Sequence, residues 1–211
     1  YVFIRDGNTW KQQAKLSPTD AGRSDSFGET VALVEDTLVV GAPGHSPGGI
    51  RFGGAAYVFG RDRGQWKEQA KLVADDTAKS DRFGTSVDID GDTIVVGSTL
   101  NDAGGGKDTG AAYIFVRNGN TWKQQAKLVG DKSKAGDHFG AGVAITGKVA
   151  IIGAPLREDD GLGAGAAYSF VNIDGVWQEK AKIGPEDPVK GILFGSVVAV
   201  STNTAIVTGG V

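Results

Sequence analysis

Apolar and polar residues alternate along Trp122, Gln124, Ala126 and Leu128 against Lys123, Gln125 and Lys127, the period of two that makes a strand with one wet face. Upstream, Thr93-Ile94-Val95-Val96-Gly97 and Ala111-Ala112-Tyr113-Ile114-Phe115-Val116 are short unbroken apolar runs, as expected of strands covered on both sides. Phe83-Gly84-Thr85-Ser86-Val87-Asp88-Ile89 precedes them, joined by a tight turn at Asp90-Gly91-Asp92. Asn118-Gly119 separates the third run from the alternating one and predicts a hairpin. Four antiparallel strands in succession are predicted, the last of them facing solvent.

The pattern recurs. The segment Gly119 to Leu128 repeats almost unchanged what begins at Gly7, and looser copies surround Trp66 and Trp177. Trp10, Trp66, Trp122 and Trp177 are spaced 56, 56 and 55 residues apart, as are Tyr1, Tyr57, Tyr113 and Tyr168. Phe27, Phe83, Phe139 and Phe194 keep the same step, each followed by glycine. A constant period over every landmark means one unit stacked on its neighbours. Four strands per unit, running from a buried inner pair to a charged outer strand, describe a propeller blade.

The expected fold is therefore all-β: a propeller of four four-stranded antiparallel blades forming a single domain over residues 1–211. The first segment supplies only a third and a fourth strand, and the last only a first and a second, so these halves are expected to pair and complete one blade. A circularly permuted gene, a piece of a longer array, and two chains sharing blades are the alternatives.

Composition narrows the partners. The 34 glycines and the lack of long helix-forming runs argue against a helical solenoid. A net charge of −3 provides no basic field for nucleic acid. No apolar stretch approaches the roughly 18 residues of a membrane span. The chain does not begin with Met and carries no signal peptide, so it is expected to be a processed product or a fragment. With no cysteine, disulfides and thiolate sites are excluded.

Phe27-Gly28 followed by Gly41-Ala42-Pro43, and Phe139-Gly140 followed by Gly153-Ala154-Pro155, resemble FG-GAP repeats, the blades of integrin α-subunit heads and of many secreted or surface-attached bacterial proteins. The second unit departs to Gly97-Ser98-Thr99, and the fourth is aligned on Gly209-Gly210-Val211. The resemblance implies a β-propeller used for extracellular recognition, without catalysis. In integrin-like members an Asp-rich hairpin between the first two strands binds calcium. Here that hairpin is Glu35-Asp36, Asp90-Gly91-Asp92, Thr146-Gly147-Lys148 or Ser201-Thr202-Asn203, shorter and poorer in carboxylates.

Positions kept in every copy serve the blade, and positions peculiar to one copy are free for function. The Trp, Tyr and Phe columns read as core, with a sugar platform on each blade as the alternative. Asp25, Asp81 and Asp137 stand two residues before the phenylalanine, with upstream partners Asp20, Asp76 and Asp131. Each pair fixes a turn or forms a hard-cation site, for which calcium is the candidate. Asp88, Asp90 and Asp92 match the first positions of a calcium loop, but no glycine follows at the sixth and no Glu at the twelfth. His45 and His138 fall in different columns, and no nucleophile elbow is present, so no enzyme is expected.

The loops after the second strand and before each Phe-Gly are long and differ between copies, and they share one face of the disc. Arg51, Phe52, Asn101, Asp102, Arg157, Glu158, Asp159 and Asp160 are the candidate ligand contacts. The expected function is a secreted or cell-surface module that binds protein or glycan through this face. The alternatives are a structural unit of a surface assembly or fibre, self-associating through its half-blade ends, and a part of a larger propeller.

Overall fold

A computed structural model describes residues 1–210 apart from 105 and 159–162. Sixteen strands run β1 (Val2–Asp6), β2 (Thr9–Ala14), β3 (Val31–Val34), β4 (Thr37–Ala42), β5 (Ala55–Asp62), β6 (Gln65–Leu72), β7 (Phe83–Asp90), β8 (Thr93–Ser98), β9 (Ala111–Asn118), β10 (Thr121–Leu128), β11 (Val143–Thr146), β12 (Val149–Ala154), β13 (Ala166–Ile173), β14 (Val176–Ile183), β15 (Val197–Ser201) and β16 (Thr204–Thr208). The only helical element among the described residues is one turn at Pro47–Gly49. Among the described residues no helix is long and apolar enough to cross a membrane.

The strands form three four-stranded antiparallel meanders, β3 to β6, β7 to β10 and β11 to β14, flanked by the two-stranded sheets β1–β2 and β15–β16. The predicted strand order holds in all three meanders, and the outer strands β6 and β10 alternate exposed with covered residues. Each third-to-fourth strand pair carries a register shift, at Val2/Phe3, Val58/Phe59, Gln124/Ala126 and Ser169/Phe170. Bulges of this kind raise the local twist.

Neighbouring blades pack face to face. Val39, Val58, Phe83, Ile94, Tyr113 and Phe115 share one cluster between the first two blades, and Val95, Ile114, Phe139, Ile152 and Tyr168 share the next. Tyr57, Tyr113 and Tyr168 are fully buried. Their rings meet Phe27, Phe83 and Phe139 at 5.7, 5.5 and 5.5 Å. The tryptophans lie farther out: Trp122 is buried, Trp66 and Trp177 are half-buried, and Trp10 is exposed. Thr30, Ser86, Gly142 and Val197, one from each inner strand or its lead-in, line a single open space of about 390 Å³. These lead-ins converge on a common axis, as in a propeller.

One feature of the expected fold is overturned. There are five sheets rather than four blades, and β1 and β16 bond only to β2 and β15 among the described residues, so the ring is not closed. The reason lies in a glycine column. Gly28 N–H donates to Gly41 O at 3.0 Å, Gly140 to Gly153 at 2.9 Å, and Gly195 to Thr208 at 2.9 Å. Thr208 is thus the counterpart of Gly41, Gly97 and Gly153, and the fourth unit aligns on Thr208-Gly209-Gly210, one residue earlier than the expected Gly209-Gly210-Val211. A Cβ at Gly41, Gly97 or Gly153 would land on the carbonyl oxygen of Gly84, Gly140 or Gly195 in the following blade. Closing the ring in the repeated geometry would press the Gly28 carbonyl against Thr208 in the same way.

Candidate binding face

The loops that join blades are tied down by their backbones. Gly54, Gly110 and Gly165 form parallel bridges to Phe83, Phe139 and Phe194 of the next unit. Each loop after a second strand is thereby clamped to the lead-in of the following blade. Beneath these clamps lies a repeated polar box. Asp25 Oδ2 accepts from Gly22 N–H and faces His45 Nδ1, both at 2.8 Å. Asp81 Oδ2 accepts from Ala78 N–H at 2.8 Å and from Asn101 Nδ2 at 2.9 Å. Asp137 Oδ2 accepts from Lys134 N–H at 2.7 Å and from Arg157 at 2.8 Å. His45, Asn101 and Arg157 are one column, 56 residues apart.

That column corrects two expectations. Asn101 and Arg157, read as ligand contacts, are each 4% exposed and hold the loops from within. His45, which shares no column with His138, does the same work in the first blade. The signal was present in the period, since counting from each Phe-Gly aligns all three.

The upstream carboxylates extend the box. Asp20 accepts from the Tyr57 hydroxyl at 2.8 Å and from Lys71 Nζ at 2.7 Å, and Asp76 accepts from Tyr113 at 2.8 Å and from Lys127 at 2.6 Å. The Lys71 ammonium holds Asp20 below the usual carboxylate range. Burial alone would raise Asp76, but Lys127 and Tyr113 outweigh it and lower it. Burial raises Asp81, whose partner Asn101 brings no charge. In the third blade Lys132 takes the position of Asp20 and Asp76. The expected partner Asp131 instead donates its N–H to Glu179 at 2.7 Å. Among the described residues the Tyr168 hydroxyl then has no acceptor, and burial pushes it up to about 12.

These oxygens face ammonium, phenol and backbone N–H donors, and among the described residues no group of three acidic or histidine side chains is placed to hold a metal. The donor set does not fit a hard cation, which wants several free oxygens. Asp88, Asp90 and Asp92 are engaged elsewhere. Asp88 and Asp90 accept from the N–H groups of Ile145 and Gly147 in the next blade at 2.8 and 2.5 Å, and Asp92 pairs with Arg117 at 2.7 Å.

What the loops leave on the surface is unlike from blade to blade. Arg51 is exposed, with its guanidinium 4.8 Å from the half-buried Phe52 ring. Asp102 is exposed and accepts from Asp108 N–H at 2.8 Å. Glu158 is exposed and borders a depression of about 700 Å³ with Lys134, Asp137, Leu156, Lys190 and Leu193. Asp159 and Asp160 lie outside the described residues. Sequence reasoning missed Lys134 and Lys190, which flank the depression, because isolated lysines in loops carry no pattern.

No curated protein shows a significant match to the chain. The FG-GAP repeat profile matches residues 10–59, 66–115 and 122–170. This repeat generally serves as an extracellular binding or structural module, and its propellers are typically non-catalytic. Three matches in a row over most of the chain, on the blades whose Phe-Gly and glycine columns have just been described, make this protein a member of the FG-GAP repeat family.

Proposed function

We propose that this protein is a secreted or cell-surface binding module that recognises a protein or glycan through its long-loop face, without catalysis. One observation carries the reading: the polar box beneath the loops repeats from blade to blade, whereas the exposed residues above it do not. A rigid scaffold under variable loops is the usual arrangement of binding surfaces. Arg51 with Phe52, Asp102, and the Glu158 depression with Lys134 and Lys190 are the contacts. Calcium is no part of this reading.

The test is capture on glycan and protein arrays by the wild type and by Arg51→Ala/Phe52→Ala and Glu158→Ala/Lys190→Ala variants. Capture by the wild type, lost in a loop variant whose melting temperature is unchanged, supports the reading. Capture that survives both double variants contradicts the assigned face.

A structural reading has its own support. Val31 and Leu33 are 63% and 61% exposed, whereas their counterparts Val87 and Ile89 in the second blade are 9% and 6% exposed. This uncovered blade face, with the free edges of β1 and β16, favours assembly with further repeat units, as a surface array or a larger propeller. Scattered light rising with protein concentration, and suppressed by Leu33→Asp, supports it.

A further inference from the structure

The first strand of each later unit is covered in one way. β7 packs against β3 and β4, β11 against β7 and β8, and β15 against β11 and β12. The inner hairpin of one unit, its first and second strands, therefore roofs the first strand of the next. Val87, Ile89, Val143, Ile145 and Val198 are buried at these junctions. Among the described residues no such hairpin roofs β3, and Val31 and Leu33, which occupy the same columns, stay exposed.

Beside them lies an apolar groove of about 330 Å³, lined by Tyr1, Phe3, Leu16, Phe27, Val31 and Leu33. β1 forms one wall of it. In the complete blades the third strand pairs with the second, as β5 with β4, β9 with β8 and β13 with β12. β1 is itself a third strand, and among the described residues it bonds only to β2. The groove thus presents what an inner hairpin meets at the sister junctions: a strand edge for its second strand and an apolar face beneath it.

The glycine column decides which hairpin fits. At each occupied junction the second strand carries glycine where it meets the next unit, Gly41 against Gly84, Gly97 against Gly140 and Gly153 against Gly195, and a Cβ would strike the facing carbonyl oxygen. At the groove the matching carbonyl belongs to Gly28, one of its lining residues. Backbone held in a packed junction cannot swing aside as a side-chain tip can. Thr208 of β16 would bring a branched Cβ to that place, so β15–β16 is refused, whether from this chain or from a second copy. We propose that the groove is the docking site for the inner hairpin of another FG-GAP unit, one with glycine rather than threonine in this column. Docking here rests on the structural reading above and narrows it, because one residue of the partner decides admission.

The probes are synthetic peptides added to the nitrogen-15-labelled whole chain. A peptide of residues 194–210, which contains Thr208, should leave the spectrum unchanged. The same peptide with Thr208→Gly should shift the Gly28 and Leu33 amide signals saturably and slow hydrogen exchange in β1. A peptide of residues 139–155, which contains Gly153, should act likewise, and its Gly153→Thr version should not. Leu33 is exposed, so Leu33→Asp in the labelled chain should keep the melting curve and abolish both responses. Equal binding of glycine and threonine peptides, or self-association of the wild type that Leu33→Asp suppresses, would overturn selection by this column and leave the structural reading standing. Responses that persist in Leu33→Asp would place the site elsewhere and overturn the proposal. No response to any of the four peptides would overturn both the proposal and the structural reading.

Discussion

Asp25, Asp81 and Asp137 share one task with three different partners, and the partner decides what each pair is worth. Asp137 and Arg157 form an ion pair with both residues almost fully buried. Removing one member of such a pair costs about 3–5 kcal/mol, because the other charge is left uncompensated. Arg157→Met is therefore expected to lower unfolding free energy by about 3 kcal/mol. Urea denaturation checks this, and a change near zero would mean that the pair is solvated. The importance of this column was legible only through the repeat, because a lone asparagine or arginine in a loop looks like a surface residue. The chemistry of His45, Asn101 and Arg157 is so unlike that no substitution rule would group them.

The acid side of the box predicts a pH dependence whose sign differs between residues. Asp20 and Asp76 are lowered in the folded protein, below an unfolded value of about 3.9. Their contribution is complete above that value and is lost as pH falls through the folded pKa. Asp81 is raised, so its contribution is complete below the unfolded value and is lost as pH rises through its folded pKa. Wild-type stability should fall as pH drops below about 4, and Lys127→Met, which removes the cation beside Asp76, should flatten part of that fall. Denaturation curves over the acid range test this. An identical slope in both proteins would show that Lys127 does not set the titration of Asp76.

At the scale of the element, the glycine column governs how blades meet. Gly97 in β8 lies under the Gly140 carbonyl of the third blade, with no room for a Cβ. Gly97→Ala is expected to cost about 3 kcal/mol, the upper range for overpacking against a backbone that cannot yield. Thr208→Gly, at the same column but with no blade beyond it among the described residues, should change stability by less than about 1 kcal/mol. Thermal unfolding of the two variants side by side checks the contrast. Equal effects would mean that the column does not mark blade contact.

This column also shows where sequence reading succeeded and where it slipped. Strand order, the Asn118-Gly119 hairpin and the buried tyrosines follow from periodicity alone. The register of the last strand is legible in the same way, since Thr208 stands as far beyond Phe194 as Gly41, Gly97 and Gly153 stand beyond Phe27, Phe83 and Phe139, although Gly209-Gly210 imitates the glycine of Gly-Ala-Pro. The Gly195 to Thr208 bond agrees with that count. The outer tryptophans fall between the two readings. Trp122 belongs to a core cluster and Trp66 packs against another, and both also serve as platforms for Arg61 and Arg117 at 5.4 and 4.5 Å.

At the scale of the whole molecule, the described residues form an arc. Three complete blades surround part of an axis, with β1–β2 at one end and β15–β16 at the other, each a two-stranded sheet among the described residues. Free strand edges invite pairing, which is why half-blades at the two ends predict closure. It failed because strand complementarity is only half of the requirement. The faces must also fit, and Thr208 stands where the repeated interface admits glycine alone.

Hydrogen exchange of the dilute chain, read amide by amide, tests this arc most directly. The account predicts slow exchange throughout β4–β5, β8–β9 and β12–β13, and fast exchange for those amides of β1 and β16 that point away from β2 and β15. Protection of both outer edges at the level of β5 would show that Tyr1 to Asp6 and Thr204 to Thr208 are zipped together, and would contradict it.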